Sequence, residues 1–185
     1  MTFFPWDEIE SLERDAVEAQ KRAKSGNFDS EVDKFIDSVT ELFEMDFFYG
    51  VQDIADQLGR SLEPDYKDME EAINKVIDGK DYKDRIREYM ESGTPADIAR
   101  VIGTDAHRIY NEAMFDTAKR AGATKKTWRT MEDPRVRDSH VYLDGVTVGI
   151  DDEFYTSNGN HAYFPSQFGV AEEDCNCRCW VTYSL

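Results

Sequence analysis

Residues 94–122 read TPADIARVIGTDAHRIYNEAMFDTAKRAG, and this stretch decides the fold class. Thr94 is a good N-cap, Pro95 suits the first helical position, and Asp97 can complete a capping box at the positive end of the helix. Ile98, Val101, Ile102, Ile109 and Ala113 then recur at helical spacing and bury one face. Lys119 and Arg120 suit the negative end, and Gly122 is placed to stop the helix. Beyond Gly122 the period changes. Val141-Tyr142-Leu143, Val146-Thr147-Val148 and Cys179-Trp180-Val181-Thr182-Tyr183 are rich in β-branched and aromatic residues, with Asp144-Gly145 as a hairpin turn between the first two. A long helix followed by a small β-containing unit with long loops is the signature of an α+β chain.

Working back from Thr94, the rest of the chain reads as helices. Asp7 to Lys24 carries Ile9, Leu12, Ala16 and Ala19 at spacings of three and four, and Gly26 punctuates its end. Asp29 or Ser30 can cap a second helix, whose stripe of Phe35, Val39, Leu42 and Phe43 continues through Phe47, Phe48 and Val51 to Leu58, with a break at Gly50. Two shorter helices follow, around Asp68 to Ile77 and Asp81 to Met90, separated by the turn-forming Asp78-Gly79. The chain thus divides into a helical region, residues 1–93, and the long helix with its β-containing unit, residues 94–185. The two can form one continuous domain.

The whole chain has 185 residues and a net charge of -17. Residues 1–104 hold 26 acidic and 13 basic residues, so the N-terminal part is the acidic one. Phosphate neutralisation needs clustered Lys and Arg, so this balance disfavours nucleic acid as a specific ligand and points to protein partners. No stretch reaches the ~18 continuous apolar residues of a membrane span, and Met1 to Asp7 lacks the regions of a signal peptide. A cytosolic setting follows, in which Cys175, Cys177 and Cys179 remain thiols and bear on a local site or on packing.

The C-terminal third contains an ordered series: Trp128, Asp133, the run Arg135-Val136-Arg137-Asp138-Ser139-His140, Leu143-Asp144-Gly145, and finally Asn176-Cys177-Arg178-Cys179. With the helix segment Ile102 to Glu112 and Gly122 before it, this series resembles the Mu F-like family of tailed-phage minor head proteins, also called head morphogenesis proteins. The resemblance implies a structural protein, present in few copies in the procapsid. It would contact the portal or major capsid protein and act in head assembly or DNA delivery, in the host cytoplasm during assembly and then in the virion head. Some members carry a toxin domain after this region; the chain ends six residues past Cys179, so none is expected here.

His140, Cys177 and Cys179, with Cys175 as a fourth, are zinc-type ligands. Residues 175, 177 and 179 on one extended strand would lie about 6.6 Å apart. Tetrahedral zinc holds its sulfurs only about 3.8 Å apart, so the strand would have to kink. Members that carry Cys-x-x-Cys at the positions of Arg137 and His140 suit a metal better. The expectation here is no cofactor, with His140 buried beside the closing strand and bonded to backbone, Asp133 or Asp138, and the cysteines packed as small hydrophobes.

Arg135, Arg137 and Arg178 can clamp loops through bidentate pairs with Asp133, Asp144 or Glu173. Asp151-Asp152-Glu153 and Glu172-Glu173-Asp174 lack calcium-loop spacing and read as solvated acidic loops. His107 and His161 have no partner pattern and read as surface residues. No phosphate loop, nucleophile elbow or zinc-protease helix is present in the sequence, so no catalytic residue is assigned. The rival is an enzyme effector, ADP-ribosyltransferase-like or nuclease, using His140, Arg137 and nearby carboxylates. A cleft into which His140 and a carboxylate both project would favour the enzyme, and buried, mutually satisfied side chains the structural protein.

Overall fold

The computed structural model describes the backbone from Trp6 to Leu185 and the side chains from residue 11 onward. The signal-peptide reading of residues 1–5 and the Ile9 side chain lie outside the described residues. Helices α1 (Trp6–Ser25), α2 (Phe28–Leu58), α3 (Tyr66–Ile73), α4 (Tyr82–Ser92) and α5 (Pro95–Arg120) come first. Then follow β1 (Lys125–Arg129), α6 (Asp138–Val141), β2 (Thr147–Gly149), β3 (Phe154–Tyr155), β4 (His161–Ala162), α7 (Ala171–Asp174) and β5 (Trp180–Ser184). This is the α+β arrangement expected, with helices first and small strands last. No helix among the described residues is long and apolar enough to cross a membrane.

Helix α5 organises the helical layer. Its capping box forms: Asp97 N–H donates to Thr94 Oγ1, and Thr94 N–H to Asp97 Oδ2. Ile98, Ile102, Ala106, Ile109 and Ala113 are fully buried, and the helix packs against α1, α2, α3 and α4. Helix α2 does not break at Gly50. The missing side chain serves the packing instead, because a Cβ there would stand 2.5 Å from the Tyr110 carbonyl oxygen and 2.9 Å from Ala113 Cβ. The α2 cap is Asn27 rather than Asp29 or Ser30, its side chain accepting from Ser30 N–H. Helix α3 ends at Ile73 with Asn74 as its C-cap, and Asp78 and Gly79, at φ 52° and 78°, then close a tight turn bridging Ile77 and Lys80.

Buried charge fills the seam between α3, α4 and α5. Asp105 and Arg108 are almost fully buried; Asp105 pairs with Arg85 at 2.7 Å, and Arg108 reaches Glu112 at 2.7 Å and the Ala72 carbonyl at 2.9 Å. These contacts link α3, α4 and α5.

The β unit is a three-stranded antiparallel sheet, order β2-β1-β5, beside the β3-β4 hairpin. Lys125 sits opposite both Gly149 and Ser184, so β1 is central. Val141-Tyr142-Leu143 is not a strand: its first residue ends α6, and Asp144-Gly145 leads from that helix into β2. Tyr183 N–H donates to Gln57 Oε1 at 3.1 Å, tying β5 to α2, and one contiguous core runs from Leu12 to Tyr183.

Candidate functional site around His140

His140 is set on the four-residue helix α6, whose N-terminus carries no side-chain cap. Two aromatic rings lie against it, Trp128 edge-on at 5.6 Å between centroids and Phe168 at 5.4 Å, and Phe154 backs Trp128 at 5.1 Å. Trp128, in the central strand, is fully buried. It therefore packs on the chemistry-bearing part of the β unit.

The carboxylate on His140 is Glu173, from α7, and neither Asp133 nor Asp138. His140 Nε2 lies 3.0 Å from Glu173 Oε2, and each side chain is 1% exposed. Ser139 Oγ–H donates to the same oxygen at 2.7 Å, while the amides of Asn158 and Asn160 donate to Oε1 at 3.1 and 3.0 Å. Burial pushes the Glu173 carboxyl up, but these three donors and the His140 charge outweigh it and hold it at about 2. Glu172-Glu173-Asp174 is therefore not a solvated loop. Asp174 is also buried and accepts from the backbone N–H groups of Phe168 and Gly169, and burial raises it to about 6.

On its other side, His140 Nδ1 stands 3.7 Å from Cys177 Sγ and 3.6 Å from Cys179 Sγ. All three ligand-type atoms lie within 4.8 Å of one another, in the core. Residues 175–179 do not form a strand. Asn176 adopts φ 58°, a left-handed conformation that Asn tolerates better than most residues, and turns the chain so that both sulfurs face one imidazole. Cys175 stays outside the cluster. The Cys179 thiol, against the opposing effect of burial, helps His140 to hold Cys177 below the usual thiol range, while Cys179 is pushed up by Cys177 and by burial.

The arginines divide. Arg178 Nη2 reaches both oxygens of Asp133, at 2.7 and 2.9 Å, and holds that carboxyl below its ordinary range. Arg137 donates to the Cys175 carbonyl oxygen. Arg135 is exposed, and its part in the loop is a backbone N–H donated to Asp133 Oδ1 at 2.9 Å. Asp144 accepts from Thr130, not from an arginine. Gly145, at φ 76°, donates its N–H to the Trp128 carbonyl and sets the loop over the central strand.

His107 is not a surface residue. It is buried, its Nδ1 is 2.8 Å from Ser166 Oγ, and burial lowers its pKa to about 4. His161 is exposed beside Glu153 at 3.1 Å. Sequence reasoning missed Glu173 as the partner of His140, and Ser139, Asn158 and Asn160 as the donors that hold Glu173, since residues 13 to 34 positions apart carry no periodic cue.

Carboxylate, imidazole and thiol in series is an arrangement able to activate a sulfur nucleophile or to hold a soft metal. Here Cys177 and Cys179 are only 2% and 3% exposed. The recess beside them, lined also by Met131, Val136, Arg137 and Arg178, has room for little more than a water. Glu173 does not line it.

The family model described as Phage Mu protein F like protein matches residues 67–182, from α3 to β5. The chain is 31% identical over 85 residues to the minor head protein GP7 of Bacillus phage SPP1, covering 44% of this chain and 28% of that one. It is 36% identical over 114 residues to the NAD(+)–arginine ADP-ribosyltransferase EFV of Enterococcus faecalis, covering 58% and 23%. The chain thus spans about a quarter of the length of these curated relatives. No solved structure matches.

Proposed function

The chain belongs to the Phage Mu protein F like family, and from that premise we propose that it is a minor head protein of a tailed phage or prophage, acting in head morphogenesis. Its partners in this reading are the portal or the major capsid protein, and its place is the virion head after assembly in the host cytoplasm. The observation that carries the reading is the inward orientation of the motif. Trp128, His140, Cys177 and Cys179 are buried and engage one another, and His140 spends both nitrogens on neighbours within the fold. Residues used this way hold a shape. The net charge of -17 suits protein contacts better than tight binding to packaged DNA.

Mass spectrometry of gradient-purified procapsids and heads tests this. The expected result is the chain at few copies per major capsid protein, with a null allele giving defective heads. Its absence from both particles would overturn the proposal.

The alternative is an enzyme, and what favours it is the likeness to the Enterococcus faecalis transferase. Against it stand the burial of His140 and Glu173 and the narrowness of the recess beside the sulfurs. Consumption of NAD or DNA by the wild type, lost in a folded His140→Ala variant, would put the enzyme in place of the head protein.

A further inference from the structure

We propose that His140, Cys177 and Cys179 form a zinc site that fastens α6 to the chain entering β5.

The first argument is distance. Bonds of ~2.3 Å to sulfur and ~2.05 Å to imidazole nitrogen place N and S about 3.6 Å apart around tetrahedral zinc. His140 Nδ1 is 3.7 Å from one sulfur and 3.6 Å from the other. The objection from strand spacing does not apply, because Asn176 supplies the required kink.

The second argument is the imidazole's orientation. Glu173 Oε2 sits 3.0 Å from Nε2, so a neutral ring that keeps its proton on Nε2 leaves the Nδ1 lone pair facing the two sulfurs. Glu173 is fixed in turn by Ser139, Asn158 and Asn160. A carboxylate held by three donors on the far nitrogen of a histidine is the support that metal-bound histidines use.

The third argument is ligand type and access. Two thiolates and one imidazole select a soft or borderline divalent ion such as zinc over magnesium or calcium. Cys177 and Cys179 are 2% and 3% exposed, so a metal held between their sulfurs would be shielded from bulk water. The recess beside the cluster has about the room of one water, which could serve as fourth ligand. The role is structural. Helix α6 is one turn long and uncapped, and a metal bond from His140 would hold it to residues 177–179 more firmly than packing alone.

The test uses the full chain purified under reductant without chelator. Elemental analysis should give about one zinc per chain. Replacement by cobalt(II) should give thiolate-to-cobalt charge-transfer bands and the d–d bands of a tetrahedral site. Cys177→Ser and Cys179→Ser should each lose both signals, and Cys175→Ser should keep them. Because a ligand variant can fail to fold, Glu173→Gln is the second probe: it should weaken zinc binding ~10–100-fold, read by competition with a chromophoric chelator. Failure of the reduced wild type to take up stoichiometric metal from added zinc, or cobalt bands that survive in folded Cys177→Ser and Cys179→Ser, would overturn the site. Metal content is read on the isolated chain, so the outcome is independent of whether the protein is found in heads.

Discussion

Glu173 Oε2 lies 3.0 Å from His140 Nε2 with both side chains 1% exposed, which makes an acidic residue from a run of three carboxylates the internal anchor of the C-terminal unit. Four groups converge on its two oxygens. Glu173→Gln replaces one acceptor oxygen with an amide donor, so at least one of Ser139, Asn158, Asn160 and His140 loses its partner. We expect a loss of about 3 kcal/mol at neutral pH, measured by denaturant unfolding. The pH dependence has a definite sign. The folded carboxyl sits at about 2 against an ordinary 4.5, so its stabilisation is complete above pH 4.5 and is lost as pH falls towards 2. The wild type should approach the variant's stability across that window, and a gap that stays constant from pH 5 to 2 would refute the role given to Glu173.

Trp128→Ala should cost about 3–5 kcal/mol, because the indole is fully buried against His140, Phe154 and Phe168 at the centre of the β unit. Chemical denaturation followed by far-UV circular dichroism measures it. A change under about 1 kcal/mol would mean that the site collapses around the gap or that the contacts contribute little.

Gly50→Ala tests the packing of α2 on α5. In an exposed helix the change should stabilise by up to about 1 kcal/mol through propensity. Here the new methyl meets the Tyr110 carbonyl oxygen at 2.5 Å and Ala113 Cβ at 2.9 Å, so the helices must part. Overpacking of this kind costs about 1–3 kcal/mol, and the net sign should be destabilising. A rise in the thermal midpoint would show that α2 has room to move.

These positions also show which parts could be read ahead of the structure. The start of α5 was legible because Thr94, Pro95 and Asp97 act on groups within a few residues of themselves. The switch to strands after Gly122 was legible for β2 and β5, which carry β-branched and aromatic runs, but not for β1, which opens on two lysines. Gly50 was misread as a break because a glycine's own sequence neighbours do not reveal that another helix passes over it. The cysteines were read as one strand face because alternation assumes extended backbone, and the left-handed residue at Asn176 cancels that assumption. His107 and Glu173 looked like surface residues because their partners lie 13 to 59 residues away. Long-range pairing has no local signature.

Lys126 supplies the last prediction. It lies in the central strand with no hydrogen-bond partner for its ammonium among the described residues, and faces the rings of Phe115 and Tyr163 at 4.8 Å and Phe154 at 5.4 Å. Cation–π attraction offsets only part of the lost hydration, and burial lowers its pKa from 10.5 to about 8. Between these two values the unfolded chain binds the proton more tightly than the folded one, so the contribution of Lys126 to stability rises with pH across that window. Below pH 8 the charged, desolvated amine is a constant cost. Lys126→Met keeps the volume and removes the charge, so at pH 7 it should unfold at a higher denaturant concentration than the wild type, and the gap should narrow as pH approaches 10. The comparison is made between the two proteins at each pH, which cancels the tyrosines and cysteines that titrate in the same range. A Met variant less stable than the wild type at pH 7, or a gap that does not change between pH 7 and 10, would mean that the three rings hold the ammonium as well as water does.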